Sequence, residues 1–288
     1  MSAQADRHSS PRSVLITGCS SGIGAALARE LHTRGLKVYA TARRPDSLAP
    51  LADLGVSALQ LDVNDDASIE AAFHRVQSEI GSLDMLVNNA GFSRVGAVLD
   101  LSREDLRGQY ETNVIAPVAV IRAAMPLLRS AVELRGHADV VNINSIVGLF
   151  TTPFAGAYCS SKAAIQSLSD ALRMELAPFG IRLISVQPGG VKSAFGEHAE
   201  EGLRLPENSL YQPMEQGVRA RAQAGQQDAT PAEDFVRPVV DKLLKDKPPL
   251  VIRGGRGSFS LVTISKLLPR KLFDRQLSRR FGLDRFQP

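Results

Sequence analysis

The chain has 288 residues, of which 44% are hydrophobic and 22% are charged, and this composition excludes an intrinsically disordered or collagen-like protein. Its length is sufficient for one large domain with a sizeable core. Aromatic residues make up only 5% of the chain and Trp is absent, which argues against the base-stacking surfaces of nucleic-acid binders, so no nucleic-acid partner is expected.

The formal net charge of +4 is distributed unevenly along the chain. Residues 251–288 carry nine basic and two acidic side chains, a local balance of +7, so the rest of the chain sums to −3. The excess of positive charge therefore belongs to the C-terminal part, which weakens any interpretation of the whole molecule as a polyanion binder.

Two cysteines, Cys19 and Cys159, are too few for a disulfide framework, so we expect a reducing, cytoplasmic location. The first ten residues are polar, and apolar runs stay well short of the ~20 residues of a membrane span. The expectation is a soluble protein with a disordered N-terminal arm over residues 1–11. No metal site is expected.

Short apolar runs alternate with amphipathic segments through most of the chain, as is typical of parallel strands joined by crossover helices. The predicted strands are residues 13–17, 37–41, 58–62, 85–89, 138–144 and 181–186, with a last strand at 250–253. The predicted helices are residues 22–35, 45–54, 66–81, 103–128, 155–179 and 232–244. This order predicts a doubly wound parallel sheet of the Rossmann type, an α/β fold with α/β/α layers in a single domain over residues 12–253.

The alternation stops after Pro188, and residues 193–230 have weak periodicity, which predicts a substrate lid. The apolar lid residues, which suit either an apolar pocket or a lid that packs on its own core, are Phe195, Leu203, Leu205, Leu210, Tyr211 and Met214.

The basic extension at 254–288 has an apolar stripe at helical spacing, formed by Leu272, Phe273, Leu277 and Phe281. Such a stripe could lie on an anionic membrane surface, cover the substrate pocket, pack in a homo-oligomer or dock on its own domain.

A glycine-rich turn follows the first predicted strand and opens a helix. It reads Thr17-Gly18-Cys19-Ser20-Ser21-Gly22-Ile23-Gly24. Glycines let the backbone approach a pyrophosphate, and the helix N-terminus supplies N–H donors. A plain strand–helix connection is the alternative, but the position at the first βα junction favours a dinucleotide site.

The residues after the second predicted strand indicate which dinucleotide is bound. Where an NAD-preferring fold places a carboxylate, this chain has Ala42 followed by Arg43 and Arg44. Arginine binds a 2′-phosphate with charge-assisted hydrogen bonds, so the sequence favours NADP over NAD, although either arginine could be a solvated surface charge. Asp62, after the third strand, could accept from the adenine amino group or act as a turn residue.

Tyr158 and Lys162 are four residues apart in a predicted helix and share one face. A cation near a phenol lowers its pKa, which suits an acid/base for alcohol oxidation or carbonyl reduction; an incidental pair is the alternative. Ser145 ends the preceding strand and could bind the reacting oxygen or cap a helix. Asn113 lies within a predicted helix before Pro117, and Asn is unfavourable inside a helix. Its presence indicates either that its side chain makes a functional contact or that the helix is kinked there.

Together these motifs resemble the short-chain dehydrogenase/reductase family of single-domain Rossmann enzymes. The resemblance is dense over residues 13–195 and looser to 253. It rests on the glycine turn, Asp62-Val63, Asn88 to Gly91, Asn113, Ser145 thirteen residues before Tyr158, Lys162, Pro188-Gly189 and Ser193.

The resemblance implies that Tyr158 exchanges a proton with the substrate oxygen and that Ser145 orients this oxygen. It implies that Lys162 binds the nicotinamide ribose and lowers the Tyr158 pKa, and that Asn113 holds a water that links Lys162 to solvent. The implied cofactor contacts are Gly18, Ser20, Ser21, Gly22, Ile23, Gly24, Arg43, Arg44, Asp62, Val63, Asn89, Ala90, Gly91, Tyr158, Lys162, Pro188, Gly189, Val191 and Ser193. Two departures from the family pattern are Asn144 for a usual Ser and Ser193 for a usual Thr.

The glycine turn, residues 38–45 and the basic extension resemble hydroxysteroid and retinol dehydrogenase relatives. This implies an NADP-dependent oxidoreductase, a homodimer or homotetramer, acting on a bulky apolar alcohol or carbonyl such as a steroid, a retinoid or a lipid-derived ketone. The alternatives are a 3-oxoacyl-thioester reductase, an interaction module that acts through its tail, and a nucleotide-sensing regulator on the same fold. Because both Tyr158 and Lys162 are present, the regulator is disfavoured.

Overall fold

A computed structural model of the protein describes residues 11–193, 203 and 205–285. Residues 1–10 of the expected arm and Phe195 of the expected lid lie outside this part of the chain. The strands of the described residues are Ser13–Ile16 (β1), Lys37–Ala42 (β2), Ser57–Gln60 (β3), Met85–Asn88 (β4), Ala138–Ile143 (β5), Ile181–Pro188 (β6) and Val251–Gly254 (β7). They form one parallel sheet in the order β3-β2-β1-β4-β5-β6-β7, which confirms the predicted doubly wound sheet.

Helices cover both faces of this sheet. The α-helices of the described residues are Gly22–Thr33 (α1), Ala49–Ala52 (α2), Asp66–Ile80 (α3), Arg103–Tyr110 (α4), Ala116–Arg135 (α5), Gly156–Leu176 (α6), Glu215–Gln223 (α7), Ala232–Leu243 (α8), Ser260–Leu267 (α9) and Arg270–Arg280 (α10). One core cluster joins the sheet to α1 and α8, and a second joins it to α3 and α5. The three-layer α/β/α arrangement follows from these two cores.

Three predicted helices differ from the observed ones. The segment 45–54 is a 3₁₀ turn over Pro45–Leu48 followed by the single turn of α2. The predicted helix 103–128 is interrupted by a π-helical turn at Glu111–Ile115 and then continues to Arg135. The π-helical turn stands just before Pro117, which lacks the N–H that an unbroken α-helix needs, and Asn113 lies within this turn.

The predicted helix 155–179 ends at Leu176, and a 3₁₀ turn over Ala177–Phe179 completes it. Strand β6 runs to Pro188, two residues beyond its predicted end.

The lid and the basic extension contain helices that pack together. Within the predicted lid, the structure shows a 3₁₀ turn at Gln212–Met214 and the helix α7, neither of which was expected. Phe281, which follows α10, is buried with Val218 and Ala222 of α7 in a third, smaller core. A Cβ on Gly217 would lie 2.0 Å from the Phe281 carbonyl oxygen, so this glycine permits the close approach of the two segments. The extension therefore docks on its own domain.

The segment Arg103–Arg135 is the one part of the described chain that is long and apolar enough to cross a membrane by length and composition. Half of its most apolar window is buried inside the fold. The residues of this segment that belong to the core between α5 and the sheet are Ala116, Val120, Ile121, Ala124, Leu127, Leu128 and Ala131.

Candidate active site

A cavity of about 1080 Å³ opens at the carboxyl edge of the sheet, where the strand order reverses between β1 and β4. The predicted site residues that line it are Gly18, Ser20, Ser21, Gly22, Ile23, Gly24, Arg43, Asp62, Val63, Asn89, Ala90, Gly91, Ser145, Tyr158, Lys162, Pro188, Gly189, Val191 and Ser193. Arg44 and Asn113 are absent from the described lining residues. The structure thus brings the glycine turn and the Tyr158–Lys162 pair to one cavity.

The glycine turn is locked against the end of β4. The Thr17 hydroxyl oxygen accepts from the backbone N–H groups of Asn89 and Ala90 at 2.9 and 3.0 Å. The Asn89 side-chain amide donates to the carbonyls of Thr17 and Gly18, both at 2.9 Å. Gly18 has φ +71°, and a Cβ on Gly24 would lie 2.3 Å from the Gly18 carbonyl oxygen. The close backbone packing therefore requires glycine at both positions.

The N-terminus of α1 is suited to an anionic ligand. Its first turn has no acidic residue, and the Ser21 side chain caps none of the helix amides that the structure describes. Ser20 and Ser21 are both exposed at the cavity. Unpaired N–H groups, two hydroxyls and the positive end of the helix dipole together fit the phosphates of a dinucleotide.

The structure separates the two candidate arginines. Arg43 is exposed and lines the cavity, whereas Arg44 precedes the 3₁₀ turn Pro45–Leu48 and its carbonyl accepts from Ser47. Asp62 also lines the cavity, and its carboxylate accepts from the backbone of Asn64 at 3.0 Å. Arg43 is therefore the better placed residue for a 2′-phosphate, and Asp62 has the turn role that the sequence left open.

Ser145 has the capping role that its position allowed, and its contact with a reacting oxygen stays a prediction. It follows β5 and caps a 3₁₀ turn, where its hydroxyl oxygen accepts from the Val147 amide at 3.3 Å. The same hydroxyl hydrogen-bonds the Tyr158 phenol. The Lys162 ammonium donates to the Ile143 carbonyl at 2.9 Å, which ties α6 to the end of β5. The acid/base pair is thus held by a helix and a strand end.

Burial dominates the electrostatics of this group. It raises the pKa of Tyr158 to about 12, while the Ser145 hydrogen bond and the Arg221 guanidinium act in the opposite direction. Burial also lowers the pKa of Lys162 to about 8. The cation that lowers the Tyr158 pKa in this structure is Arg221, while the Lys162 ammonium is bound to the Ile143 carbonyl. That Lys162 lowers the Tyr158 pKa stays a prediction.

Asn113 lies in the π-helical turn and uses its whole side chain within the protein. Its Oδ1 accepts from the Phe92 N–H at 3.2 Å, and its Nδ2 donates to the Phe92 carbonyl and the Ser161 hydroxyl at 3.0 and 3.1 Å. The side chain thus fastens the loop after β4 to α6. These contacts give the side chain a positioning role, and the implied water held by Asn113 stays a prediction.

Asn144 also has a positioning role. Its Nδ2 donates to the Gln166 side-chain oxygen at 3.0 Å and to the Ser185 hydroxyl at 2.6 Å. Asn144 follows β5, Gln166 is on α6 and Ser185 is on β6. The Asn144 side chain, which is longer than the usual Ser, therefore joins β5, α6 and β6 next to Ser145.

The segment after β6 crosses the glycine turn. A Cβ on Gly22 would lie 2.7 Å from the Ser193 Cβ, and the Ser193 N–H donates to the Gln226 side chain at 2.9 Å. Val191 is buried and bridges to Thr230. The two ends of the lid region therefore meet over the predicted cofactor site.

Sequence reasoning missed the cavity wall that the lid and the extension supply. The lining residues from this wall and from the loop after Ser145 include Phe150, Thr152, Arg221, Ala222, Leu261, Phe273, Leu277, Arg280 and Phe281. The helical spacing of the stripe had indicated that Phe273, Leu277 and Phe281 share one face of a helix. Covering of the substrate pocket was one of the roles that this stripe could have. Nothing in the sequence had indicated Arg221 or Thr152.

The chain matches the family model of short chain dehydrogenases over residues 12–203. It is 38% identical to a short-chain dehydrogenase of Penicillium ochrochloron over 267 residues, covering 91% of this chain and 95% of the relative. It is 36% identical over 230 residues to the NADPH-dependent 1-acyldihydroxyacetone phosphate reductase of Schizosaccharomyces pombe, covering 77% and 73% of the two chains. The crystal structure of a short-chain dehydrogenase from Streptomyces avermitilis superposes with a TM-score of 0.77 at 30% identity, covering 96% of this chain and 98% of that one.

The lowered pKa of Lys162 predicts a pH dependence of stability. The folded protein releases this proton near pH 8, whereas an unfolded lysine releases it near pH ~10.4. Between these values the unfolded state binds more protons, so the free energy of unfolding rises with pH by up to about 1.4 kcal/mol per pH unit. We expect Lys162→Met to remove this rise, as measured by urea unfolding at pH 7.5, 8.5 and 9.5.

Lys192→Met, at an exposed lysine, is the matched control and should retain the wild-type pH dependence. Identical slopes for the wild type and Lys162→Met would contradict the assigned burial effect.

Proposed function

The chain belongs to the short-chain dehydrogenase/reductase family and is an NAD(P)-dependent oxidoreductase, and we propose that it interconverts an alcohol and a ketone or aldehyde with NADP(H) and Tyr158 as acid/base. The observation that carries this proposal is the Ser145–Tyr158 hydrogen bond, with Lys162 one turn along α6, in the cavity that also contains the glycine turn.

The protein side of the proposed reaction is a proton transfer. When bound, the nicotinamide ring supplies or accepts the hydride. With a pKa raised to about 12, Tyr158 is protonated at neutral pH and can donate its proton to a carbonyl oxygen in the reduction direction. Ser145 donates a hydrogen bond to the same oxygen and stabilises its developing charge. Lys162 contributes a buried amine one helical turn away, where it would hold the ribose hydroxyls.

The preference for NADP(H) rests on Arg43. Arg43 lines the cavity beyond the N-terminus of α1. An NAD-preferring site has a carboxylate at the position of Ala42, which would repel a 2′-phosphate, and this chain has none there. The name of the yeast relative, an NADPH-dependent reductase, is in agreement with this preference.

The proposed substrate is bulky and apolar, such as a steroid, a retinoid or a lipid-derived carbonyl. Its support is the wall opposite the cofactor site, whose apolar members are Ile146, Val147, Phe150, Ala222, Leu261, Phe273, Leu277 and Phe281. Phe150 and Phe273 pack edge to face at 5.8 Å, which joins the extension to the loop after Ser145. The yeast relative is named for an acylated ketone, which favours a lipid-derived carbonyl over the other classes.

Replacing Tyr158 tests the proposed chemistry. Tyr158→Phe removes the proton donor and keeps the ring, so turnover of a ketone with NADPH should fall by about 10²-fold to 10⁴-fold while the NADPH dissociation constant changes little. Tyr110→Phe, on α4, is the matched control and should behave as the wild type. Near wild-type turnover by Tyr158→Phe would refute the assignment.

Replacing each arginine separately tests the cofactor preference. Arg43→Ala should weaken NADPH binding by about tenfold or more through loss of a charge-assisted contact and leave NADH binding unchanged. Arg44→Ala should affect neither cofactor, because Arg44 does not line the cavity. Fluorescence titration of the wild type and both variants with NADPH and NADH measures the dissociation constants. Equal losses of NADPH and NADH binding in Arg43→Ala would argue against a 2′-phosphate contact.

We further propose that the protein is cytoplasmic and contacts membranes through the turn between α9 and α10. Within the predicted stripe, Phe273 and Phe281 are buried in the protein's own fold, so these two side chains are not available for lipid. In contrast, Leu267 and Leu272 are 77% and 51% exposed and alternate with basic residues. Those basic residues are Lys266, Arg270 and Lys271. Exposed leucines among positive charges favour an anionic lipid surface.

Vesicle sedimentation tests this contact. Wild-type protein should bind phosphatidylserine-containing vesicles at low salt and be released at high salt, because the attraction is screened. A variant with Leu267→Asp and Leu272→Asp should lose this binding, whereas Leu210→Asp, at a lid leucine that is 75% exposed, should retain it. Equal sedimentation of all three proteins would eliminate the membrane contact.

A further inference from the structure

Among the lid residues that the structure describes, one basic side chain, that of Arg221, lines the cavity. Arg221 lies on α7, lines the cavity and donates from Nε to the buried Thr152 hydroxyl at 2.7 Å. The Thr152 oxygen is 4.0 Å from the Cys159 sulfur, and Cys159 is the immediate neighbour of Tyr158. The guanidinium is therefore held beside the residue that carries the proposed proton transfer.

The charge of Arg221 is not matched by a carboxylate among the described residues. No Asp or Glu oxygen of the described chain lies within 4 Å of its guanidinium, and of the described residues that line the cavity, only Asp62, after β3, is acidic. Burial lowers the pKa of Arg221, Cys159 and Tyr158 raise it, and nearby Arg280 lowers it again. Arg221 is partly buried, and a partly buried cation beside a second cation is costly unless an anion completes the site.

Comparison with Arg219 shows that only some arginines of α7 face the cavity. Arg219 is two residues away on the same helix, is about half exposed and forms an ion pair with Glu215 at 2.7 Å. Only Arg221 of this pair faces the cavity. Its Thr152 hydrogen bond fixes the position of Nε, and the two terminal nitrogens of a guanidinium suit a planar or tetrahedral oxyanion.

We propose that Arg221 binds an anionic group of the substrate, a carboxylate or a phosphate ester, close to the carbonyl that Tyr158 protonates. The substrate is then an amphiphile whose apolar chain lies along Phe150, Phe273 and Leu277, with its charge next to the reacting carbon. This inference rests on the proposed function for the reacting group and adds the charge of the substrate. A ketone with a positively charged amine in the same place is disfavoured by Arg221 and Arg280.

Binding of unreactive ten-carbon probes tests the anion site without turnover. Calorimetry would compare decanoate, decyl phosphate and decan-1-ol against full-length protein saturated with NADPH, the reduced cofactor, which cannot oxidise the alcohol. We expect at least one anionic probe to bind tenfold or more tightly than the alcohol, and the better of the two identifies the oxyanion. Equal binding of the anions and the alcohol by the wild type would overturn the proposal.

Three variants assign the effect to the residue. Arg221→Gln should weaken the preferred anion by about tenfold to a hundredfold and leave decan-1-ol unchanged, because a charge-assisted contact is lost. Arg221→Lys should recover part of the loss, which a purely structural role would not predict. Arg219→Gln should bind all three probes as the wild type does. Loss of the anion and the alcohol alike in Arg221→Gln, with no recovery in Arg221→Lys, would mean that Arg221 only holds the lid.

The outcome is separable from that of the proposed function. A protein that binds an anion through Arg221 but reduces no ketone would refute the oxidoreductase proposal and keep the anion site. A protein that reduces ketones but shows no dependence of anion binding on Arg221 would refute the anion site alone.

Discussion

The site depends on the contact between the glycine turn after β1 and the end of β4. In a doubly wound sheet the connections from these two strands leave toward opposite faces, so a crevice opens between them. Four hydrogen bonds between Thr17, Gly18, Asn89 and Ala90 close the base of this crevice. Because glycine at 18 and 24 leaves no side chain in the way, the N-terminus of α1 points into the crevice with its amides available.

Side-chain hydrogen bonds also hold the elements that carry Ser145, Tyr158 and Lys162. Asn113 fastens the loop after β4 to α6, Asn144 joins β5, α6 and β6, and Lys162 binds the end of β5. The cofactor half and the acid/base are therefore built on strands and a long helix. The substrate half is built from α7 and the C-terminal helices, which share a separate small core. In the proposed function, this division separates the chemistry, whose residues the sheet holds, from the recognition of the substrate, which the later segments provide.

Much of the fold and the cofactor half could be predicted because they follow from local patterns. Alternating apolar runs indicate the strands, and glycines, serines and the Tyr158–Lys162 spacing indicate where the ligand lies. The helix α7 was missed because its polar sequence shows no clear apolar period, and Gly217 in its first turn weakens the helical pattern further. Packing against Phe281 stabilises the helix. No local pattern distinguishes Arg221 from Arg219 or Arg43 from Arg44. Which arginine faces the cavity depends on tertiary packing.

The most direct test of the account is a single-turnover reaction with NADPH that carries deuterium at both C4 positions of the nicotinamide. Long-chain ketones would be the substrates, and mass spectrometry would locate the deuterium in the product for the wild type and for Tyr158→Phe. The account predicts one deuterium on the carbinol carbon in the wild type and little product from the variant. Absence of deuterated alcohol with the wild type, or equal product from the variant, would contradict it.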